Sequence, residues 1–290
     1  MPHLPSRTET LDIRGLRHCV RHWGDSAAPK LFLLHGRMDS SPTFQFVVDA
    51  LAQSWHVIAP DWRGYGASEW LCRPYWYYDY YADLDGLLAR YSPDRPARLV
   101  GHSMGANIAS IYAAARPERV SQVAMLDFLG LPTPTSDAPS ELRNWLDAVA
   151  DDPRPTTYSN PAALAQRLLR RNPRLTPARA EFLARTTSRL RPDGSIEMAC
   201  DPWHKLSSPT LYRVDEVLES WRRITAPVLL LIAEHGYVQQ RFGDNRAELE
   251  RRLACFVNRQ VVLIPECGHN MQHDQPESVA AALENFLRRD

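Results

Sequence analysis

The chain has 290 residues, 44% apolar and 23% charged, and its 34 basic and 34 acidic side chains cancel to a formal net charge of zero. That length allows one large α/β domain with an insertion or two small domains, and the composition allows a sizeable buried core. No basic run is present, so nucleic acid is not an expected partner, and no apolar run nears the roughly 18 residues that would span a bilayer.

Cys19, Cys72, Cys200, Cys255 and Cys267 are scattered, odd in number and without a CxxC pair. This argues against a zinc cage, a redox motif or a disulfide framework, and no metal or organic cofactor is expected. Segment 1–15 lacks an apolar signal-peptide core, so a cytoplasmic location is expected.

In chain order, short apolar runs at 31–34, 57–59, 99–100 and 123–126 are each followed by a residue or pair such as His-Gly, Pro-Asp, Gly or Asp. Such runs read as strands buried on both faces. Helical patterns lie between them: 83–90 puts Leu84, Leu87 and Leu88 on one face, and 106–115 is alanine-rich before Arg116-Pro117. Alternation of this kind predicts a mostly parallel, doubly wound sheet.

From 131 to about 223 prolines are frequent and no convincing strand is seen. Ser140 reads as the cap of a helix carrying Leu142, Trp145, Leu146 and Val149. Asn160-Pro161 and Thr176-Pro177 each read as an N-cap followed by proline, and Val214, Val217, Leu218 and Trp221 form another stripe. Strand character resumes at 228–232 and 261–264, and 276–288 reads as a closing helix. The expected organisation is a core domain of 1–130 and 224–290, split by a helical insertion at 131–223.

Gly101-His102-Ser103-Met104-Gly105 fits G-x-S-x-G between a strand and a helix. A sharp turn there presents the serine, and the helix N-terminus behind it favours a developing anion. Acyl transfer also needs N–H donors for the oxyanion, and the backbone of Met104 and of Arg37, just after His35-Gly36, suits that role. The Arg37 guanidinium is expected to pair locally with Asp39. A serine hydroxyl needs a base. His269, late in the chain after Gly268, is preferred over His273; His102 reads as a packed turn residue, while His204 and His235 have no motif behind them.

The acid that orients the histidine should follow the strand ending at Leu126 or the one ending at Ile232. Asp127 stands after the first and is the preferred acid; Glu234, after the second, is the alternative. The stretch 61–68 reads as a structural loop tied down by Asp61 and Arg63. The aromatic stretch from Tyr75 to Tyr81 is expected to pack the core against the insertion, or to line a wall for an acyl or aryl group.

Taken together, His35-Gly36, the 61–68 loop, the elbow and Gly268-His269 arrive in an order that resembles the α/β-hydrolase superfamily. The resemblance implies a mostly parallel eight-stranded sheet with helices on both faces and a helical cap at the insertion. A narrower likeness, to the serine hydrolase-like proteins, is carried by Ala165-Gln166-Arg167-Leu168-Leu169, Asn172, Arg185-Thr186-Thr187 and the stretch from Val228 to Tyr237. Many members of the superfamily carry an aspartate where Gly236 stands; the narrower group resembles this chain in lacking it, which implies Asp127 as the acid. From the residues themselves, the expected activity is cleavage of a small carboxylic ester or thioester, a small-molecule substrate, through an acyl-enzyme. Carbon–carbon or amide bond hydrolysis, cofactor-free oxygenase or perhydrolase chemistry, and a non-catalytic binding role are the alternatives. Nothing in the sequence sets the oligomeric state.

Overall fold

The structure, a computed structural model, describes residues 3–287. Met1, Pro2 and 288–290, with the last residue of the expected closing helix, lie outside the described residues. The strands are β1 (Ser6–Ile13), β2 (Leu16–Trp23), β3 (Lys30–Leu34), β4 (His56–Pro60), β5 (Ala97–His102), β6 (Val120–Leu126), β7 (Thr157–Tyr158), β8 (Ser188–Leu190), β9 (Ile196–Met198), β10 (Val228–Ala233) and β11 (Arg259–Ile264). The helices are α1 (Gln45–Ala50), α2 (Asp79–Tyr91), α3 (Met104–Ala115), α4 (Ala138–Ala150), α5 (Pro161–Arg171), α6 (Pro177–Thr186), α7 (Val214–Arg222), α8 (Tyr237–Phe242), α9 (Arg246–Leu253), α10 (Met271–Asp274) and α11 (Pro276–Leu287).

Eight strands form one sheet in the order β1-β2-β4-β3-β5-β6-β10-β11. From β4 to β11 every pairing is parallel, while β1 and β2 add an antiparallel edge. Alternate residues of each inner strand feed two different cores, as the two-residue repeat of a strand requires. In β10, Val228, Leu230 and Ile232 pack with Leu84, Ile108 and Trp221 of α2, α3 and α7. Leu229 and Leu231 pack with Val47, Val279 and Leu283 of α1 and α11 on the other face. From β3 the chain adds β4 on one side and β5 on the other, so the strand order reverses between β3 and β5. A crevice forms outside the carboxyl ends of strands at such a point, and here those ends carry His35-Gly36 and His102-Ser103.

The N-terminal hairpin was not expected from sequence. Its turn is Arg14-Gly15, with φ of 56° and 74°, and β1 is mostly exposed, so its side chains lack the apolar run that marks the inner strands.

Between β6 and β10 the expected helices form, with two corrections. The N-cap of α4 is Asp137, not Ser140; its carboxylate accepts from Ser140 N at 2.9 Å, which places Ser140 inside the first turn. Asn160 and Thr176 do cap α5 and α6. The segment also contains strands, contrary to expectation: β7, β9 and β8 make a small antiparallel sheet. Each has only two or three residues, too few to show a periodicity, and the β8–β9 turn uses Gly194 at φ 82°. Leu164, Leu175, Leu183 and Ile196 make a separate cluster that reaches the sheet domain through Phe46. Where the chain leaves β6, the buried Arg252 guanidinium donates to the carbonyls of Leu129 and Leu131, both at 2.9 Å. Among the described residues no helix is long and apolar enough to cross a membrane.

Candidate active site

Ser103 sits between β5 and α3 with φ 52° and ψ −114°, a conformation that side chains other than glycine rarely hold unless their surroundings enforce it. The enforcement comes from two glycines. A Cβ at Gly105 would lie 2.0 Å from the carbonyl oxygen of Leu34 in β3, and one at Gly101 would lie 2.3 Å from the backbone of Gly105. Only bare backbone lets α3 start this close to the sheet. Ser103 N–H donates to Leu126 O at 3.2 Å, which ties the turn to the end of β6.

Asp127 follows directly, also at positive φ (47°), and is fully buried. Its Oδ2 accepts from His269 Nδ1 at 2.7 Å and from Tyr237 N at 2.6 Å, and its Oδ1 accepts from Ala233 N at 3.2 Å. A carboxylate can only accept, so Nδ1 is the donor, and in the neutral imidazole Nε2 is the nitrogen with the lone pair. Gly236 makes this possible: a Cβ there would fall 2.3 Å from Asp127 Oδ2. The space that a side chain at 236 would fill is occupied by a carboxylate arriving from β6 instead. Glu234 is placed elsewhere, its half-exposed carboxylate accepting from Glu266 N at 2.9 Å.

His269 is held from behind by His102, whose Nε2 donates to the His269 carbonyl at 2.8 Å while the two rings lie 4.7 Å apart. His102, read from sequence only as a packed turn residue, thus links the elbow to the histidine loop. His269 and Ser103 therefore share one end of the sheet, with His269 partly exposed. Ser103 Oγ has no hydrogen-bond partner among the described residues, His269 Nε2 included; bonds of this type often tighten only when substrate aligns the pair.

The backbone after β3 is fixed by His35. Its Nε2 accepts from Trp62 N at 3.0 Å, so Nδ1 carries the proton and donates to Gly36 O at 2.8 Å. That carbonyl and the N–H of Arg37 belong to one planar peptide, so anchoring one aims the other in the opposite direction. A Cβ on Gly36 would come within 3.2 Å of Ser103 Cβ, a measure of how near this peptide runs to the elbow. Neither Arg37 N–H nor Met104 N–H is engaged by a protein acceptor among the described residues.

The Arg37 side chain departs from expectation. Its guanidinium does not pair with Asp39; it donates through Nε and Nη2 to the carbonyl of His204 in the insertion. Asp39 accepts from the N–H of Ser40 instead, at 2.9 Å, and burial pushes its carboxyl up to about 6. His204, which had no motif behind it, lies between Tyr65 and Tyr75, with ring centroids 4.0 and 3.8 Å away. Gly64 permits the stack, since a Cβ there would meet both Tyr75 and His204 within 2.4 Å. Asp201 extends the joint by accepting from Tyr75 Oη at 2.7 Å and Cys72 N at 2.9 Å.

The rival histidine is buried. His273 Nε2 bonds to Thr43 Oγ1 at 2.6 Å, and desolvation drives its pKa down to about 3. His235 is half-exposed beside Glu234. The 61–68 loop is pinned as expected: Asp61 accepts from Ser41 N at 2.7 Å and Ala67 N at 2.9 Å, and Arg63 meets Asp83 at 2.6 Å. Tyr75, Tyr77 and Tyr80 both pack the joint and line a cavity beside Met104.

Comparison with known proteins agrees with this fold. The serine hydrolase-like protein of Danio rerio is 28% identical over 278 residues, covering 92% of this chain and 83% of that protein. The 2-(acetamidomethylene)succinate hydrolase of Mesorhizobium japonicum is 27% identical, covering 96% and 94%. Among solved structures, the thioesterase domain from the curacin biosynthetic pathway superposes with a TM-score of 0.82 at 24% identity, covering 96% of this chain and 99% of that one, a likeness of fold. The family described as alpha/beta hydrolase fold matches residues 29–276. With its eight-stranded sheet, the chain belongs to the α/β-hydrolase fold family and resembles the serine hydrolase-like proteins within it.

Proposed function

We propose that this α/β hydrolase is a serine hydrolase that cleaves a small carboxylic ester or thioester through an acyl-enzyme. The observation that carries the reading is the 2.7 Å bond from His269 Nδ1 to Asp127, which gives the neutral imidazole its lone pair at Nε2, at the same sheet end as the strained Ser103 turn. In the reading, His269 takes the proton of Ser103 as Oγ attacks the substrate carbonyl, and Asp127 stabilises the imidazolium. The N–H groups of Arg37 and Met104 hold the oxyanion, and the positive end of α3 adds to them. His269 then protonates the leaving group and activates the water that releases the acid. Segment 131–223 acts as the cap, joined to the core through Arg37, His204 and Asp201. The five cysteines are free thiols, in keeping with a cytoplasmic location.

The test is covalent labelling by a fluorophosphonate together with hydrolysis of p-nitrophenyl acetate. The wild type should do both. Ser103→Ala should lose the label and about 10⁴-fold or more of kcat. Labelling that persists in Ser103→Ala would place the nucleophile elsewhere.

A further inference from the structure

A cavity of about 120 Å³ opens beside the elbow, with Met104 and Arg37 in its wall. The remaining wall is rich in aromatic rings, among them Tyr75, Tyr77 and Tyr80 from the core and Trp145 and Trp203 from the insertion, with Ser207 and Ser208 beside them. The core side is rigid, because Tyr75 is stacked on His204 at 3.8 Å and Tyr77 meets Tyr80 edge-on at 5.6 Å. We propose that this cavity is the acyl subsite and that it takes a single aromatic ring, so the preferred substrates are esters of aryl or arylalkyl carboxylic acids. The assignment rests on the serine hydrolase reading above.

Three observations carry it. The first is size. An apolar cavity of about 150 Å³ is enough to bind benzene, so this one matches one ring and not a long chain. A groove of about 400 Å³ adjoins it, sharing Trp145, Leu206 and Ser207, and is lined further out by Glu141, Asp151 and Lys205. An alkyl tail longer than the cavity would run out among those charged groups, at a cost in lost apolar burial.

The second is chemistry. Ring faces and edges of tyrosine and tryptophan favour offset or edge-on contact with another ring beyond what area alone provides. The Tyr77 ring is held from behind, its hydroxyl accepting from the buried Asn107 Nδ2 at 2.8 Å.

The third is which half of the ester enters. Met104, the residue after Ser103, and Arg37, whose N–H groups are the proposed oxyanion donors, are both in the wall, while neither Ser103 nor His269 is. In the serine hydrolase reading, a cavity on the side of the oxyanion donors takes the half of the substrate that stays on the serine.

The experiment is a panel of p-nitrophenyl esters, whose leaving group is constant, read as kcat/KM: acetate, benzoate, phenylacetate and octanoate. Benzoate or phenylacetate should exceed both acetate and octanoate by about tenfold. Trp145→Ala should lower the phenylacetate value about tenfold more than the acetate value. Free phenylacetate should quench tryptophan fluorescence of Ser103→Ala and lose that effect in Trp145→Ala/Trp203→Ala. Octanoate as the best substrate, or equal loss on every ester in Trp145→Ala, overturns the aromatic assignment. Fluorophosphonate labelling separates the two readings. Labelling with a flat panel and no phenylacetate binding removes the ring pocket alone, whereas phenylacetate binding without labelling removes the acyl-enzyme.

Discussion

The elbow and helix α4 differ sharply in how much change each tolerates. Around Ser103 one added carbon has nowhere to go, with the Leu34 carbonyl 2.0 Å from where a Gly105 Cβ would stand. In α4 no residue is buried, and Leu142 and Leu146 are 47% and 53% exposed. Yet α4 supplies Trp145 to the cavity next to the elbow. In the proposed reading, backbone packing sets the reacting groups, while an element with slack sets one wall of the pocket. On that reading, substitutions in α4 should alter the range of substrates without disturbing the chemistry.

The comparison is tested hardest at Asp127. Asp127→Asn should reduce kcat about 10⁴-fold, equivalent to about 5 kcal/mol, because the amide presents a donor to His269 and selects the wrong tautomer. Glu234→Gln should be nearly silent, since that side chain is half-exposed and meets only Glu266 N–H and the half-exposed His235 among the described residues. If Glu234→Gln is the damaging change, the acid is misassigned.

Next in size is Gly105→Ala. Its methyl would force α3 away from β3, and a loss of about 3 kcal/mol is expected in denaturant unfolding, with the fluorophosphonate label lost as well. A stable, labelled Gly105→Ala would show that the elbow has more give than these distances allow.

The tight region was also the legible one. Gly101, Gly105 and Gly36 are demanded by contacts within a few residues of a strand end, so the requirement is written locally as G-x-S-x-G and His-Gly. The inner strands are buried on both faces and read as plain apolar runs. Long-range choices were not written this way. Both Asp127 and Glu234 end strands, and what separates them is where β6 and β10 place those ends, together with the room left by Gly236. The bond from Arg37 to the His204 carbonyl spans two regions with no shared motif. Strands of two or three residues in the insertion carry no period, and the exposed β1 carries no apolar run.

A third test uses the buried histidines packed around the site. Desolvation drives the pKa values of His204 and His273 down to about 3 and also lowers those of His35 and His102. Each is neutral in the folded protein, while the unfolded chain takes up its proton near 6.5. The unfolded state thus binds more protons below that pH, and stability is fully present above about 6.5 and falls as the pH drops toward the folded values. Each such group contributes up to about 1.4 kcal/mol per pH unit in that window. Asp39, pushed up to about 6, acts in the opposite direction between its ordinary value and 6. His273→Gln should flatten the acid limb of the stability profile by about one group. An unchanged slope would mean that His273 is hydrated enough to titrate in the folded protein.

The smallest effect expected is at α4. Leu146→Ala removes a side chain that is already 53% exposed, so its cost should stay within about 0.5 kcal/mol. Leu231→Ala in β10 removes one that is 1% exposed and should cost roughly 2–5 kcal/mol. The two lie in one chain and are read by the same denaturant midpoint, so their difference measures the contrast between the regions directly. Should Leu146→Ala cost as much as Leu231→Ala, the exposed face of α4 is covered in solution. A cost that grows with protein concentration would then identify a second copy of the chain as the cover. A cost independent of concentration would mean that α4 folds down onto its own domain, and the wall carrying Trp145 would be as fixed as the elbow.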